Sequence, residues 1–369
     1  MEFIVSKTDL VRELNLSQGV VEKRTTIPIL SNILVEAGGD AITLTATDLE
    51  LGIRCRCPAQ VKHGGTGTIP ARRLLDYVRL LPAADIQVKF TENHWVNLVC
   101  GRSRTRIAGM SGESFPELPK PPEPIAEIPA ALLATMIEKT IFAISSEESR
   151  FTLTGALVVL KQDQIALVTT DGHRLAYIER AAEFPVAGSH RTLLPKKAMS
   201  EILKLTLECG PEAKIAFGTS ENHLFFQFGE RLLLSRKLTG NFPDYNRVLP
   251  KEHSHRIRLP REEFRAAIER VAQFSDERSH AIRVQVRPAE LVVHSSISET
   301  GESEETLPVE YDGPEVTIGF NAQYMLDFLR AVGEQEVNFC FKDAGAAGEF
   351  RPDGDSKGEY RYVLMPMRI

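Results

Sequence analysis

Thr169-Thr170-Asp171-Gly172-His173-Arg174-Leu175-Ala176 sits near the middle of a chain of 369 residues, and the sequence on either side repeats the unit that contains it. Its counterpart in the first third is Thr47-Asp48-Leu49-Glu50. Other landmarks recur with the same long step. A proline or asparagine opens an apolar-periodic helix at Pro70, Pro195 and Asn321, with steps of 125 and 126 residues. A glycine precedes a basic, strand-like run at Gly101, Gly229 and Gly358, and Phe115-Pro116 returns as Phe242-Pro243 after 127 residues. Repeats of about 20–50 residues build solenoids, whereas a period this long is that of a whole domain. The chain reads as one module used three times.

Each third opens with a helix. Leu10, Leu14 and Val21 share a face over residues 8–22, with Gly19 weakening the end; Leu133, Met136, Ile137, Thr140, Ile141 and Ile144 do so in the second third. Phe264, Ile268, Val271 and Phe274 form the third stripe, with Pro260 at its start. Alternating runs follow, such as Ile42/Leu44/Ala46, Ile165/Leu167/Thr169 and Leu291/Val293. A second helix comes next, and further strands such as Ile86/Val88/Phe90 and Val337/Phe339/Phe341 close the module. Helix, strands, helix, strands is an α+β pattern with mostly antiparallel sheet.

Proline marks the boundaries. Residues 113–129 hold six prolines, too many for an interior strand or helix, and residues 241–260 are broken by Pro243, Pro250 and Pro260. The domains are therefore expected at 1–121, 122–253 and 254–369. Residues 300–306 and 343–358 read as polar loops inside the last of them. Composition is that of an ordinary globular protein, and no apolar run approaches the roughly 18 residues of a membrane span. The first eleven residues carry Glu2 and Asp9 and no basic region before a long apolar core, so a cytoplasmic location is expected. Five cysteines without a Cys-x-x-Cys agree, and Cys55 and Cys57 extend the apolar face of Leu51 and Ile53.

No catalytic pattern emerges. Asp171 and His173 are two residues apart in a turn, which by itself makes no triad, and Gly64-Gly65-Thr66-Gly67 lacks the Lys-Ser/Thr of a phosphate loop. The histidines show no metal-ligand spacing. No metal, cofactor or enzymatic activity is expected. Charge sorts by position: the chain has 44 Lys and Arg against 50 Asp and Glu, yet the six helix windows hold 13 basic and 11 acidic residues. A weakly basic helix set on a negative chain is either a solvated face or a surface that touches phosphates lightly.

Further stretches carry a resemblance. Thr170-Asp171-Gly172-His173-Arg174-Leu175, Phe242-Pro243-Asp244-Tyr245 with Arg247-Val248-Leu249-Pro250, and Met365-Pro366-Met367-Arg368 resemble the bacterial DNA polymerase III beta subunit family, the sliding clamps. Thr26-Ile27-Pro28-Ile29-Leu30-Ser31-Asn32, Thr47-Asp48-Leu49-Glu50 and Pro70-Ala71-Arg72 add to it, and the likeness runs the length of the chain. It implies three domains of the DNA clamp fold in a head-to-tail homodimer. Such a ring encircles double-stranded DNA without reading its sequence, helices inside and sheets outside. Implied partners are a clamp loader, the DNA polymerase III alpha subunit, and other polymerases or repair proteins carrying clamp-binding peptides. DNA-facing positions carried over are Arg24, Arg72, Arg73, Arg102, Arg104 and Arg150. Beside Arg150 the sequence departs from the family, since Phe151-Thr152 offers one ring where members often carry two. The dimer interface is expected near residues 104–108 of domain 1, with Arg104 and Ile107, against domain 3 with Phe274.

The C-terminus is apolar where chain ends are usually polar. Tyr362 and Leu364 suit a last core strand, whereas Met365-Pro366-Met367 suits an adaptable binding surface. By resemblance a peptide groove is expected from Leu153, Thr170, Gly172, His173, Arg174, Leu175, Pro243, Arg247, Val248, Val363, Leu364, Met365, Pro366 and Met367. His173, Arg174 and Arg247 are expected to orient the peptide. The alternative is a three-domain protein-interaction scaffold that does not encircle DNA, and the edges of domains 1 and 3 decide between them.

Overall fold

The computed structural model describes residues 1–21, 26–186, 188–297, 301–354 and 358–368. Among the described residues six α-helices, α1 (Lys7–Ser17), α2 (Ala71–Leu80), α3 (Ala130–Glu138), α4 (Lys196–Leu207), α5 (Arg261–Val271) and α6 (Ala322–Ala331), fall two to each module among strands that pair antiparallel. The fold is α+β, three modules built on one plan. The repeat landmarks sit at helix starts for a physical reason. The Asn321 side chain caps α6 by accepting from Tyr324 N at 3.1 Å, Pro70 caps α2 through a fixed φ alone, and Pro195 directly precedes α4. Several helices are shorter than the periodicity suggests. α1 ends at Ser17, and the stretches after α3 and α5 tighten into the 3-10 turns Ile141–Ala143 and Ala272–Phe274.

Two compact units divide the chain: Met1–Ala134 with Lys197–Lys237, and Thr135–Lys196 with Leu238–Ile369. The first holds a twelve-stranded sheet. Its long strand Leu51–His63 pairs with Glu2–Ser6, Ala41–Thr47 and Arg231–Arg236, so a single sheet runs from the first module into part of the second. Leu51, Ile53, Cys55 and Cys57 point inward along it. Burial raises both thiols, Cys57 to about 12, which keeps them unreactive at neutral pH. A buried carboxylate ties α1 to the neighbouring module's strand: Arg231 donates to Glu13 through Nε at 2.8 Å and Nη2 at 2.6 Å. Burial pushes the Glu13 carboxyl up, but the hydrogen bonds from Arg231 and Arg12 outweigh it and hold it below its ordinary value.

The second unit holds an eight-stranded sheet, from Ser189–Pro195 to His255–Pro260, and a four-stranded one. Arg174–Ala181 pairs with Gly358–Leu364 at the middle of the larger sheet, again joining two modules. Its core is aromatic, with Phe339 and Phe350 stacked at 4.7 Å and Phe328 on Tyr362 at 5.1 Å.

Two stretches read as loops are strands. Gly301–Pro308 is an edge strand whose exposed positions include Glu302, Glu304 and Thr306, so it reads as polar because only Leu307 on its inner side is buried. Gly348–Pro352 lies between Glu336–Phe341 and Gly358–Leu364. Its Glu349 is fully buried, and Arg361 Nη2 donates to it at 2.6 Å; the pairing lets a charged residue occupy an interior strand. No helix among the described residues is long and apolar enough to cross a membrane.

Candidate functional site

The Thr-Asp turn is built from its own side chains. Asp171 Oδ1 accepts from the backbone N–H of His173 at 2.9 Å and of Arg174 at 3.1 Å. Thr170 Oγ1 donates to the Arg174 carbonyl at 2.6 Å and accepts from Gly172 N at 3.1 Å. Gly172 stands at φ +91°, where a side chain is strained. Asp171 is thus a turn-former, with both oxygens bonded.

The first module makes the same turn: Thr47 Oγ1 donates to Leu51 O at 2.9 Å, and Asp48 Oδ1 accepts from Glu50 N and Leu51 N. There the left-handed position, φ +77°, is held by Leu49, which is half exposed. The substitutions Leu49→Gly and Gly172→Ala are therefore expected to differ in effect. The left-handed conformation costs an L-residue about 1–2 kcal/mol, and a Cβ on Gly172 would stand 2.6 Å from Arg150 Nη1. Gly172→Ala is expected to lower the thermal midpoint, while Leu49→Gly leaves it unchanged or raises it; equal midpoints for Gly172→Ala and the parent would contradict the turn geometry.

Side-chain alternation along the paired strands sorts the expected groove residues by face. Arg174 lies opposite Leu364 and Leu175 opposite Val363. Leu175 and Val363 belong to one apolar cluster, with Phe242, Tyr245 and Leu249 of the Phe-Pro-Asp-Tyr segment packed on it and Tyr245 stacked on Tyr177 at 5.7 Å. Fully burying a side chain of this size contributes about 1.5–3 kcal/mol. Three motifs far apart in sequence are thereby brought together. Leu175, Val363, Thr170 and Leu153 are buried. Gly172, His173, Pro243, Arg247, Val248 and Met365 are exposed.

Arg174 and Leu364 lie on the other face of the sheet from Leu175 and Val363, since side chains alternate along a strand. Leu364 is buried there beside Tyr362 in the strand. Arg174 donates through Nε to Asp171 at 2.9 Å, through Nη1 to Asp327 at 2.7 Å and through Nη2 to the Phe142 carbonyl at 2.7 Å, with its guanidinium 4.1 Å above the Tyr324 ring. Its partners are all internal, so it braces the turn. Asp327, Tyr324 and Phe142 have no local signal that would single them out; only the Arg174 contacts reveal them.

The tail extends the sheet without a proline penalty. Met365 N donates to His173 O at 2.9 Å and Met367 N to Gly319 O at 2.8 Å, so Pro366 falls at the position that needs no donor.

The expected DNA-facing arginines separate into three places. Arg24 lies outside the described residues. Arg72 and Arg73 are exposed on α2, which packs beside α1, where Arg12 is exposed too. Arg102 and Arg104 belong to the sheet edge: Arg102 follows Gly101 in a tight turn, and Arg104 is exposed on the strand Ser103–Ala108. Arg150, in the second unit, lies against the Asp171 turn. Ile107 is buried on the same edge strand as Arg104, and Phe274 is half-buried close to Gly301.

Comparison with known proteins agrees along the chain. Residues 1–119, 127–244 and 246–368 match the models of the N-terminal, central and C-terminal domains of the DNA polymerase III beta subunit. The chain is 32% identical to the Beta sliding clamp of Pseudomonas putida, covering 100% of both. Among solved structures it is similar to the sliding clamp of Pseudomonas aeruginosa bound to griselimycin, with TM-score 0.95, 32% identity and full coverage of both chains. It is also similar to the pol III beta of Caulobacter crescentus, with TM-score 0.93, 34% identity and the same coverage.

Proposed function

The chain belongs to the DNA polymerase III beta subunit family, the sliding clamps, processivity subunits without catalysis, and on that premise we propose that two copies close head to tail into a ring of six modules around duplex DNA. The observation that carries this reading is a pair of sheet edges of opposite charge. Among the described strands, Ser103–Ala108 pairs only with Trp95–Cys100 and presents Arg104 and Arg106. Gly301–Pro308 pairs only with Glu290–Ile297 and presents Glu302 and Glu304. An uncovered edge is an aggregation hazard, and a chain with unlike ends closes a two-membered ring when the rotation between copies is a half turn. Edge-to-edge pairing between copies sets arginine against glutamate, with Ile107 and Phe274 in the apolar part.

In that ring the helix cations, Arg72 and Arg73 among them, touch phosphates lightly and without base readout, which suits sliding. A clamp loader places the ring on DNA. The polymerase alpha subunit, other polymerases and repair proteins dock clamp-binding peptides on the rim of His173, Pro243, Arg247, Val248 and Met365, above the floor of Leu175 and Val363. This reading implies the cytoplasm, where bacterial DNA is replicated.

Light scattering at micromolar concentration tests the assembly. The expected mass is twice that of the 41.1 kDa chain. Arg104→Glu is expected to raise the dimer Kd by at least about tenfold through like-charge repulsion, with Glu304→Arg in the same chain restoring it. A monomeric parent, with Phe274→Ala making no difference, would count against the interface.

A further inference from the structure

The resemblance places Arg150 on the DNA side, yet its guanidinium is turned onto the Asp171-Gly172 peptide. Nη1 donates to the Asp171 carbonyl at 2.6 Å, and Nε pairs with Glu147 at 3.0 Å. The backbone favours this aim by leaving helical angles at Arg150, φ −96° and ψ 52°, inside the 3-10 segment Glu148–Leu153. Gly172 gives the guanidinium room, because a Cβ at that residue would stand 2.6 Å from the same Nη1. On the other end of this peptide plane, Gly172 N–H donates to Thr170 Oγ1 at 3.1 Å. One peptide plane is therefore held at both its oxygen and its nitrogen. The next residue, His173, offers its carbonyl to Met365 N at 2.9 Å, so the orientation of that plane is passed to the tail.

We propose that Arg150 is a positioning residue for the peptide groove, holding the Asp171-Gly172 peptide in the orientation that presents His173 and seats Met365. The proposal rests on the reading of turn, segment and tail as a peptide groove. A guanidinium paired with a carbonyl and a carboxylate is also a weaker phosphate ligand than an exposed one such as Arg73, because Glu147 already offsets its charge. Glycine makes the brace necessary, since a turn centred on it has other conformations within easy reach.

Calorimetry on the full-length protein without DNA tests this, using a synthetic peptide with the clamp-binding segment of a polymerase alpha subunit. The forms compared are the parent, Arg150→Lys, Arg150→Ala and a deletion of residues 365–369. Arg150→Ala is expected to weaken the peptide by about tenfold, the scale of one charge-assisted hydrogen bond. Arg150→Lys recovers part of the loss, because an ammonium still reaches the carbonyl but does not reproduce the fork to Glu147. In the free protein, amide hydrogen exchange at Gly172 and His173 is expected to accelerate in Arg150→Ala. Weaker binding with unchanged exchange overturns positioning in favour of direct contact with the peptide. Parent-like affinity in Arg150→Ala, beside lost binding in the deletion, overturns the proposal and leaves the groove standing. Parent-like affinity in both removes the groove and the proposal together.

Discussion

Once loaded on closed circular DNA, the protein is expected to stay for long times and to leave rapidly when that DNA is cut. The physical reason is the contrast between topology and affinity. The chain carries net charge −6, and its six helix windows exceed neutrality by only two charges. Direct contacts are therefore few, and non-specific DNA binding of this kind has a Kd of about 10⁻⁴ to 10⁻⁶ M at physiological salt. With association rate constants of about 10⁵–10⁷ M⁻¹s⁻¹, a copy held by contacts alone departs within roughly ten seconds or less. A closed ring on a circle has no end to leave by, and on the ring proposal its lifetime is set by opening of the proposed edge-to-edge interface. Gel filtration of loaded complexes before and after linearisation measures the difference. Equal release from both forms would mean that contacts, and not encirclement, hold the protein, and the scaffold reading would replace the ring. Short duplexes bound directly should show weak affinity that falls with salt, and Arg73→Ala should reduce the slope by about one if its phosphate contact is made.

How much of this was legible in the sequence depends on the range of the interaction concerned. The repeat was legible because its landmarks are local: Pro70 and Asn321 cap helices, Pro195 directly precedes one, and Thr-Asp closes the turns at 47–51 and 170–174 with its own side chains. What escaped were interactions between distant segments. Gly19 reads as a flaw in a helix, but α1 has ended before it, and the carboxylate of Glu201 packs where its Cβ would be. The strand 301–308 hid as a loop because an edge strand with glutamates outward lacks the apolar alternation that marks a half-buried one. Arg174 and Leu364 show the limit most clearly. Period-two reasoning predicts that each faces away from its neighbours Leu175 and Val363, yet not which face the helices cover. Only the register of Arg174 opposite Leu364, and the Asp327 and Phe142 contacts, settles their side.

Deleting residues 365–369 should leave a folded chain that still dimerises and has lost clamp-binding peptides. The strand before the cut carries the stability: Tyr362 and Val363 are fully buried, Tyr362 donates to the Tyr324 carbonyl at 2.9 Å and stacks on Phe328, and seven register pairs join the strand to Arg174–Ala181. What the deletion removes is exposed or half-buried: Met365, with 45% of its surface open, then Pro366 and Met367. It also removes the backbone bonds to His173 O and Gly319 O, so the turn loses the partner that lies beside it. Methionine is flexible and polarizable, which lets a wall of this kind fit leucine or phenylalanine side chains of different peptides. Losing that wall while the Leu175–Val363 floor remains should cost at least about a hundredfold in affinity, the scale of one or two hot-spot contacts. The sheet edge at Ser103–Ala108 and the edge at Gly301–Pro308 are untouched, so light scattering should still report a dimer. Arg73→Ala is the complementary case, weakening DNA contact and leaving the peptide unaffected. Calorimetry with the alpha-subunit peptide decides the matter: full affinity in the truncated dimer would place the peptide site elsewhere on the chain.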